Sequence, residues 1–153
     1  MPKIDVSKIE EVSASGYPPP FDGIVRGRFR KRLGNAGGLT QFGVNLCRLA
    51  PGAASSQRHW HDDADELVYM LQGEAVLVED SGETILRPGD TATFKAGVAD
   101  GHHIINRSDN DVLFLEVGTR NNNGRAEYSD IDMQAVTENG TMRYLHKDGT
   151  PFA

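Results

Sequence analysis

An all-β domain, a sandwich or a closed barrel, is predicted by three observations. Seven short β-like runs follow one another at Phe42–Leu49, Glu66–Leu71, Ala75–Glu79, Glu83–Leu86, Thr91–Phe94, His102–Asn106 and Val112–Val117. Turn-forming residues separate them, among them Ala50-Pro51-Gly52, Gln72-Gly73, Asp80-Ser81-Gly82, Arg87-Pro88-Gly89-Asp90 and Ser108-Asp109-Asn110-Asp111. No apolar pattern of helical period interrupts this region. Many short strands at close spacing suit a sandwich or barrel, and the 153 residues suit one domain.

Before the strands, residues 1–20 read as an extended arm. A turn of helix fits Val6 to Val12, and Pro18-Pro19-Pro20 blocks any continuation. Arg26 to Arg32 is a short basic cluster, expected as a solvated strand or loop. Gly34-Asn35-Ala36-Gly37-Gly38 is a flexible turn. After Val117 the chain is polar and irregular, with short peripheral strands expected at Tyr128–Gln134 and Met142–His146. The resulting division is an N-terminal arm with a peripheral strand (1–38), a barrel core (39–118) and a C-terminal extension packing on the barrel or on a partner subunit (119–153).

Composition narrows the function. A net charge of -6 argues against nucleic acid or an anionic membrane surface as partner. Nothing approaches the roughly 20 apolar residues of a membrane span, and no signal-peptide pattern opens the chain. The single cysteine, Cys47, excludes an intrachain disulfide and fits a reducing cytoplasm. Cys47 reads as a small apolar residue within a strand.

The chemistry concentrates between Gly52 and Glu66. Residues two apart on a strand share a face, so His59 and His61 project together and Trp60 points away. Asp62 to Asp65 reverses the chain, and Glu66 opens a strong apolar strand, Leu67-Val68-Tyr69-Met70-Leu71. A carboxylate in such a strand needs a partner if it points inward. Two imidazoles and one carboxylate suit a divalent transition metal (zinc, iron, manganese, nickel or copper), with positions left for water or substrate. A fourth ligand is available from His102 or His103. Adjacent strand residues face opposite ways, so only one of the two can join.

These segments resemble the paired motifs of the cupin superfamily. Gly52, His59, His61, Glu66 and Gly73 match the first motif, and Gly82, Pro88, Gly89, His102 and Asn106 match the second. The His-x-x-x-Asn spacing of the second motif selects His102 as ligand and turns His103 away. The sequence departs from the pattern in three places. The Gly52–His59 gap is one residue longer, the loop before His102 is two longer, and Lys95 stands where proline is common. The resemblance implies a double-stranded β-helix, the jelly-roll barrel, and a homodimer. It also implies one metal ion on His59, His61, Glu66 and His102.

Strand parity extends this set to a pocket lined by Gln57, Val68, Met70, Ile104 and Asn106, fit for a small organic ligand. Tyr69 and Leu71 fall on the outer face, where a second copy would cover them. The expected function is a metal-dependent enzyme acting on a small molecule, an oxygenase, isomerase or lyase. The alternative is a non-catalytic metal- or ligand-binding protein, a sensor or structural module. No general base beyond the ligands stands out in the sequence.

Overall fold

The structure, a computed structural model, describes residues 2–153. Twelve strands carry the fold: β1 (Arg28–Arg32), β2 (Phe42–Leu49), β3 (His59–His61), β4 (Glu66–Gln72), β5 (Ala75–Glu79), β6 (Gly82–Leu86), β7 (Thr91–Phe94), β8 (His103–Ile105), β9 (Val112–Thr119), β10 (Gly124–Tyr128), β11 (Gln134–Glu138) and β12 (Thr141–Leu145). The fold is all-β and antiparallel, as the alternating runs predict. Among the described residues no helix is long and apolar enough to cross a membrane.

One wall is a five-stranded sheet in the order β1-β2-β9-β4-β7. Facing it are a four-stranded sheet, β12-β11-β10-β3, and a three-stranded one, β6-β5-β8. An antiparallel bridge between His59 and His102 joins these last two into one wall. Their backbones exchange two hydrogen bonds, His102 N–H to the His59 carbonyl at 2.9 Å and His59 N–H to the His102 carbonyl at 3.2 Å. This pairing sets the two imidazoles side by side.

Cross-strand partners share a face of a sheet, so the register of the five-stranded wall gives its inner surface row by row. Leu49–Val112 and Cys47–Phe114–Met70 are apolar rows. All five residues are fully buried, and they pack against Ala75, Leu77, Leu86 and Ile104 of the opposite wall. Burying a side chain the size of Leu or Phe stabilises a fold by about 1.5–3 kcal/mol, so this end of the barrel supplies most of its cohesion. The next rows change character. Asn45–Glu116–Val68 and Gly43–Gly118–Glu66–Phe94 bring polar side chains and glycines in among the apolar ones. The chain therefore fills one end of the barrel and leaves the other open.

The N-terminal arm closes part of that open end. Tyr17, Phe21, Ile24 and Val25 pack on Ala126, Tyr128, Met133, Ala135 and Phe152 of the C-terminal strands. Three local expectations need correction. The strand expected at Tyr128–Gln134 is a turn between β10 and β11, held by the Met133 N–H to Ile131 carbonyl bond. The turn expected at Gly34–Gly38 begins as one helical turn, Leu33–Ala36. The basic cluster Arg26–Arg32 is solvated only in part: Arg26 and Arg32 are exposed, whereas Arg28 is 7 % exposed and faces the barrel interior with Arg30.

Candidate metal centre

His59 and His61 stand on the inner face of β3 with their ring centroids 4.9 Å apart. Glu66, the first residue of β4, reaches between the two walls. Its Oε1 lies 2.8 Å from Nε2 of His61 and 3.6 Å from Nε2 of His59. The donor atoms of His59, His61 and Glu66 all lie within 4.8 Å of one another, close enough to share one metal ion. His102 approaches the other carboxylate oxygen, with Nε2 2.6 Å from Oε2. It also stacks flat on Phe94, centroid to centroid at 3.6 Å with 5° between planes.

Surrounding groups fix these orientations. Nδ1 of His59 lies 2.9 Å from the Gln57 carbonyl and 3.2 Å from the Ser56 hydroxyl. A carbonyl can only accept, so Nδ1 carries a proton, and Nε2 is the nitrogen turned toward Glu66 and placed to ligate an ion. Burial alone would raise the Glu66 pKa; hydrogen bonds from His102, His59 and His61 outweigh it and hold the carboxyl well below the usual range. Burial likewise disfavours charge on His59, and Glu66 overrides it, so the imidazole pKa is raised. Several imidazoles thus compete for one carboxylate. A divalent ion in their place takes neutral nitrogen donors and one negative oxygen, and keeps most of its charge for polarising a ligand. The donor chemistry and the preset His59 tautomer fit such an ion.

His103 turns away from this cluster. It is buried rather than solvated, with Nδ1 2.9 Å from the Ser56 carbonyl, and burial lowers its pKa.

A cavity of about 500 Å³ opens beside the donors. Of the pocket residues expected from parity, Val68 and Ile104 line it. Gln57, Met70 and Asn106 do not. The Gln57 amide turns back to donate to the Phe21 carbonyl at 3.0 Å. Met70 is sealed in the apolar core. Asn106 is wholly buried and ties the loop after β8, donating to the carbonyls of Leu49 and Asn110. Parity was right about direction for Met70 and silent about depth along the barrel.

Other lining residues were missed. Glu116 projects into the cavity from β9, accepting from Asn45 Nδ2 at 3.0 Å and from Arg30 at 3.2 Å. Val112, Phe114 and Glu116 alternate, so it carries the signal that singled out Glu66, a carboxylate on the inner face of an apolar strand. Tyr128, the cross-strand partner of His59, lines the same space, as do Arg28, Arg30 and Arg32.

A jelly-roll barrel with a His–His–Glu donor set at its open end defines a class, and the comparisons give the same class. The profile described as "Cupin domain" matches residues 45–118. The chain belongs to the cupin superfamily. It is similar to a structure from Silicibacter pomeroyi described as a sugar phosphate isomerase from a cupin superfamily, with 47% identity, 99% of this chain and 97% of that one covered, and a TM-score of 0.95. A putative sugar phosphate isomerase from Acidithiobacillus ferrooxidans is 27% identical over 82% of this chain and 80% of its own, with a TM-score of 0.74. The polyketide cyclase RemF of Streptomyces resistomycificus shares the fold at 18% identity, covering 78% of this chain and 79% of its own, with a TM-score of 0.64. No functionally curated protein matches the chain significantly.

Proposed function

We propose that this chain is a metal-dependent isomerase of a small phosphorylated sugar, with the ion held by His59, His61, Glu66 and His102. One observation carries the reading: beside the donor set the cavity presents a separate carboxylate, Glu116, which is not among the metal donors. The 47% identity to a structure described as a sugar phosphate isomerase supports the choice among isomerase, oxygenase and lyase.

A bound ion supplies Lewis acidity toward the sugar's carbonyl and hydroxyl oxygens. The chain's own residues supply the rest. Glu66 opposes Gly118 and Glu116 opposes Val68 across the β4–β9 ladder, so the two acids are diagonal neighbours on one face, a relation that spans about 7–8 Å. A short sugar chain fits between them. Glu116 takes the proton from the carbon beside the carbonyl, that C–H electron pair becomes the second bond between the two carbons, and the carbonyl π pair moves onto its oxygen. The same carboxyl returns the proton to the former carbonyl carbon. A proton passing between the two sugar oxygens completes the exchange. Aldose and ketose have one composition, so no oxidant is consumed. Asn45 and Arg30 hold the carboxylate in place, and Phe94 fixes the His102 ring by stacking.

The test is to incubate the metal-loaded chain with pentose and hexose phosphates in deuterated water and follow the sugars by NMR. Isomer formation with deuterium at the exchanged carbon is expected. Glu116→Gln should lower turnover at least about 100-fold, the lower range for a lost general base, with metal content unchanged. No isomer and no exchange with wild type across the panel would reject the reading.

Tyr69 and Leu71, 42% and 44% exposed on the outer face of β4, support a homodimer, and the single buried cysteine supports a cytoplasmic setting.

A further inference from the structure

Strand β1 reads Arg28-Phe29-Arg30-Lys31-Arg32, and its alternation sends all three arginines toward the cavity. Arg28 is 7 % exposed. Among the described residues no carboxylate pairs with it. Its guanidinium donates to the carbonyls of Ser55 at 2.7 Å and Ala14 at 3.4 Å, dipoles that orient it without cancelling its charge. Arg30 stands beside it, donating to the Ser55 carbonyl at 3.4 Å and to Glu116 at 3.2 Å. Its Nε–H lies against Glu116 out of alignment and is a buried donor without a hydrogen bond. Arg32, exposed at the mouth, has no ion-pair or hydrogen-bond partner among the described residues. Arg120 closes the rim, donating to the Leu39 carbonyl at 2.8 Å.

The charge on this wall does not balance. Outside the metal donor set, four arginines face the cavity and Glu116 is the one acid among the described lining residues. The chain as a whole carries a net charge of -6, so the local excess of cations runs against its average. A buried guanidinium without an acid is costly, and its planar donor fork matches the oxygens of phosphate. The spacing suits a substrate that touches both sites. In the order β1-β2-β9-β4, Arg30 leans over β2 to reach Glu116 on β9. That places its guanidinium between one and two strand spacings from the strand of Glu66, roughly 5–10 Å at about 4.8 Å per spacing. Gly43 and Gly118 keep the floor between them clear, since neither fills it with a side chain.

We infer that the β1 wall is a phosphate subsite, in which Arg28, Arg30 and Arg32 hold the phosphoryl group of the substrate while its carbons extend past Glu116 to the metal donors. The inference rests on the sugar phosphate reading above and adds the residues that would select a phosphorylated substrate over a free sugar.

The experiment is calorimetric titration of the metal-loaded full chain with inorganic phosphate, ribose phosphate and free ribose. Wild type, Arg32→Gln, Arg30→Gln and the remote exposed control Arg107→Gln are compared, with circular dichroism to verify folding. Arg32 is the primary variant because its exposure makes misfolding improbable on physical grounds. Expected are phosphate binding by wild type, ribose phosphate bound at least about tenfold more tightly than ribose, and a loss of about tenfold for both phosphates in Arg32→Gln with ribose affinity unchanged. Arg107→Gln should behave as wild type. Absence of phosphate binding by wild type, or an Arg32→Gln effect that is nil or equal for ribose and ribose phosphate, overturns the subsite. Phosphate binding lost in Arg32→Gln from a protein that isomerises nothing upholds the subsite and rejects the isomerase. Isomerisation with phosphate binding untouched in Arg32→Gln does the reverse.

Discussion

Arg58 clasps the long loop that precedes His102, and its replacement tests how burial sets the worth of an ion pair. The guanidinium donates to the Gly101 carbonyl at 2.8 Å, to both Asp130 oxygens at 3.0 and 2.9 Å, and to Asp80. Its own side chain is 14% exposed, whereas Asp80 and Asp130 are 54% and 58% exposed. The two aspartate contacts are therefore solvent-screened and contribute together no more than about 1 kcal/mol. The charged donor to the shielded carbonyl contributes about 1.5–3 kcal/mol. Arg58→Met keeps the apolar stem and removes the head, for an expected loss of about 2–3 kcal/mol. In a domain of this size that lowers Tm by roughly 4–12 °C. Arg107 gives the contrast. It makes two short bonds to Glu83, 2.6 and 2.7 Å, but both side chains are half exposed. Arg107→Met should leave Tm close to the wild-type value, because solvent screens that pair. The assay is thermal unfolding of both variants and wild type, metal-free, at one pH. Equal Tm shifts for the two variants would refute the reasoning, because burial would then make no difference.

Two further outcomes follow from buried groups. His103 is held neutral by burial, with its pKa below the ordinary value. As pH falls through the unfolded value of about 6.5, the unfolded chain takes the proton first, so stability drops from that point until the folded His103 also titrates. Denaturant unfolding of wild type and His103→Gln between about pH 7 and pH 5 should show a shallower decline in the variant; identical slopes would count against it. Cys47 is fully buried, and that burial pushes its thiol pKa up, so a thiol reagent should leave the native protein unlabelled and react once per chain after denaturation. Rapid native labelling would show the barrel end to be open.

Much of the fold was legible because strands announce themselves by their ends. Pro51-Gly52, Gly73 and Pro88-Gly89 punctuate the sequence where the chain turns, and Gly73 has φ 81° with no room for a Cβ beside the Asp111 carbonyl. The placement of His59, His61 and Glu66 was legible because parity and a three-strand neighbourhood suffice to bring them together. The arginines of β1 were read as solvated because a run of five basic residues among seven looks like a surface. Only the pairing of Arg28 with Leu49 and Arg30 with Cys47 shows that alternate members enter the barrel. Gln57 and Asn106 failed for a different reason. Parity fixes a face, but each side chain's partner, the Phe21 carbonyl or the Leu49 carbonyl, comes from segments distant in sequence. The C-terminal strands were undervalued because their composition is polar, yet β10 pairs with β3 and sets Tyr128 against His59.

The most direct test of the metal centre is the metal content of the full chain purified without chelator or histidine tag, measured for wild type and for His59→Ala/His61→Ala. One divalent ion per chain in wild type and its loss from the double variant, with folding retained, is the expected result. Equal occupancy in both proteins would place any ion elsewhere, and a metal-free wild type that takes up no divalent ion on addition would contradict the assignment outright.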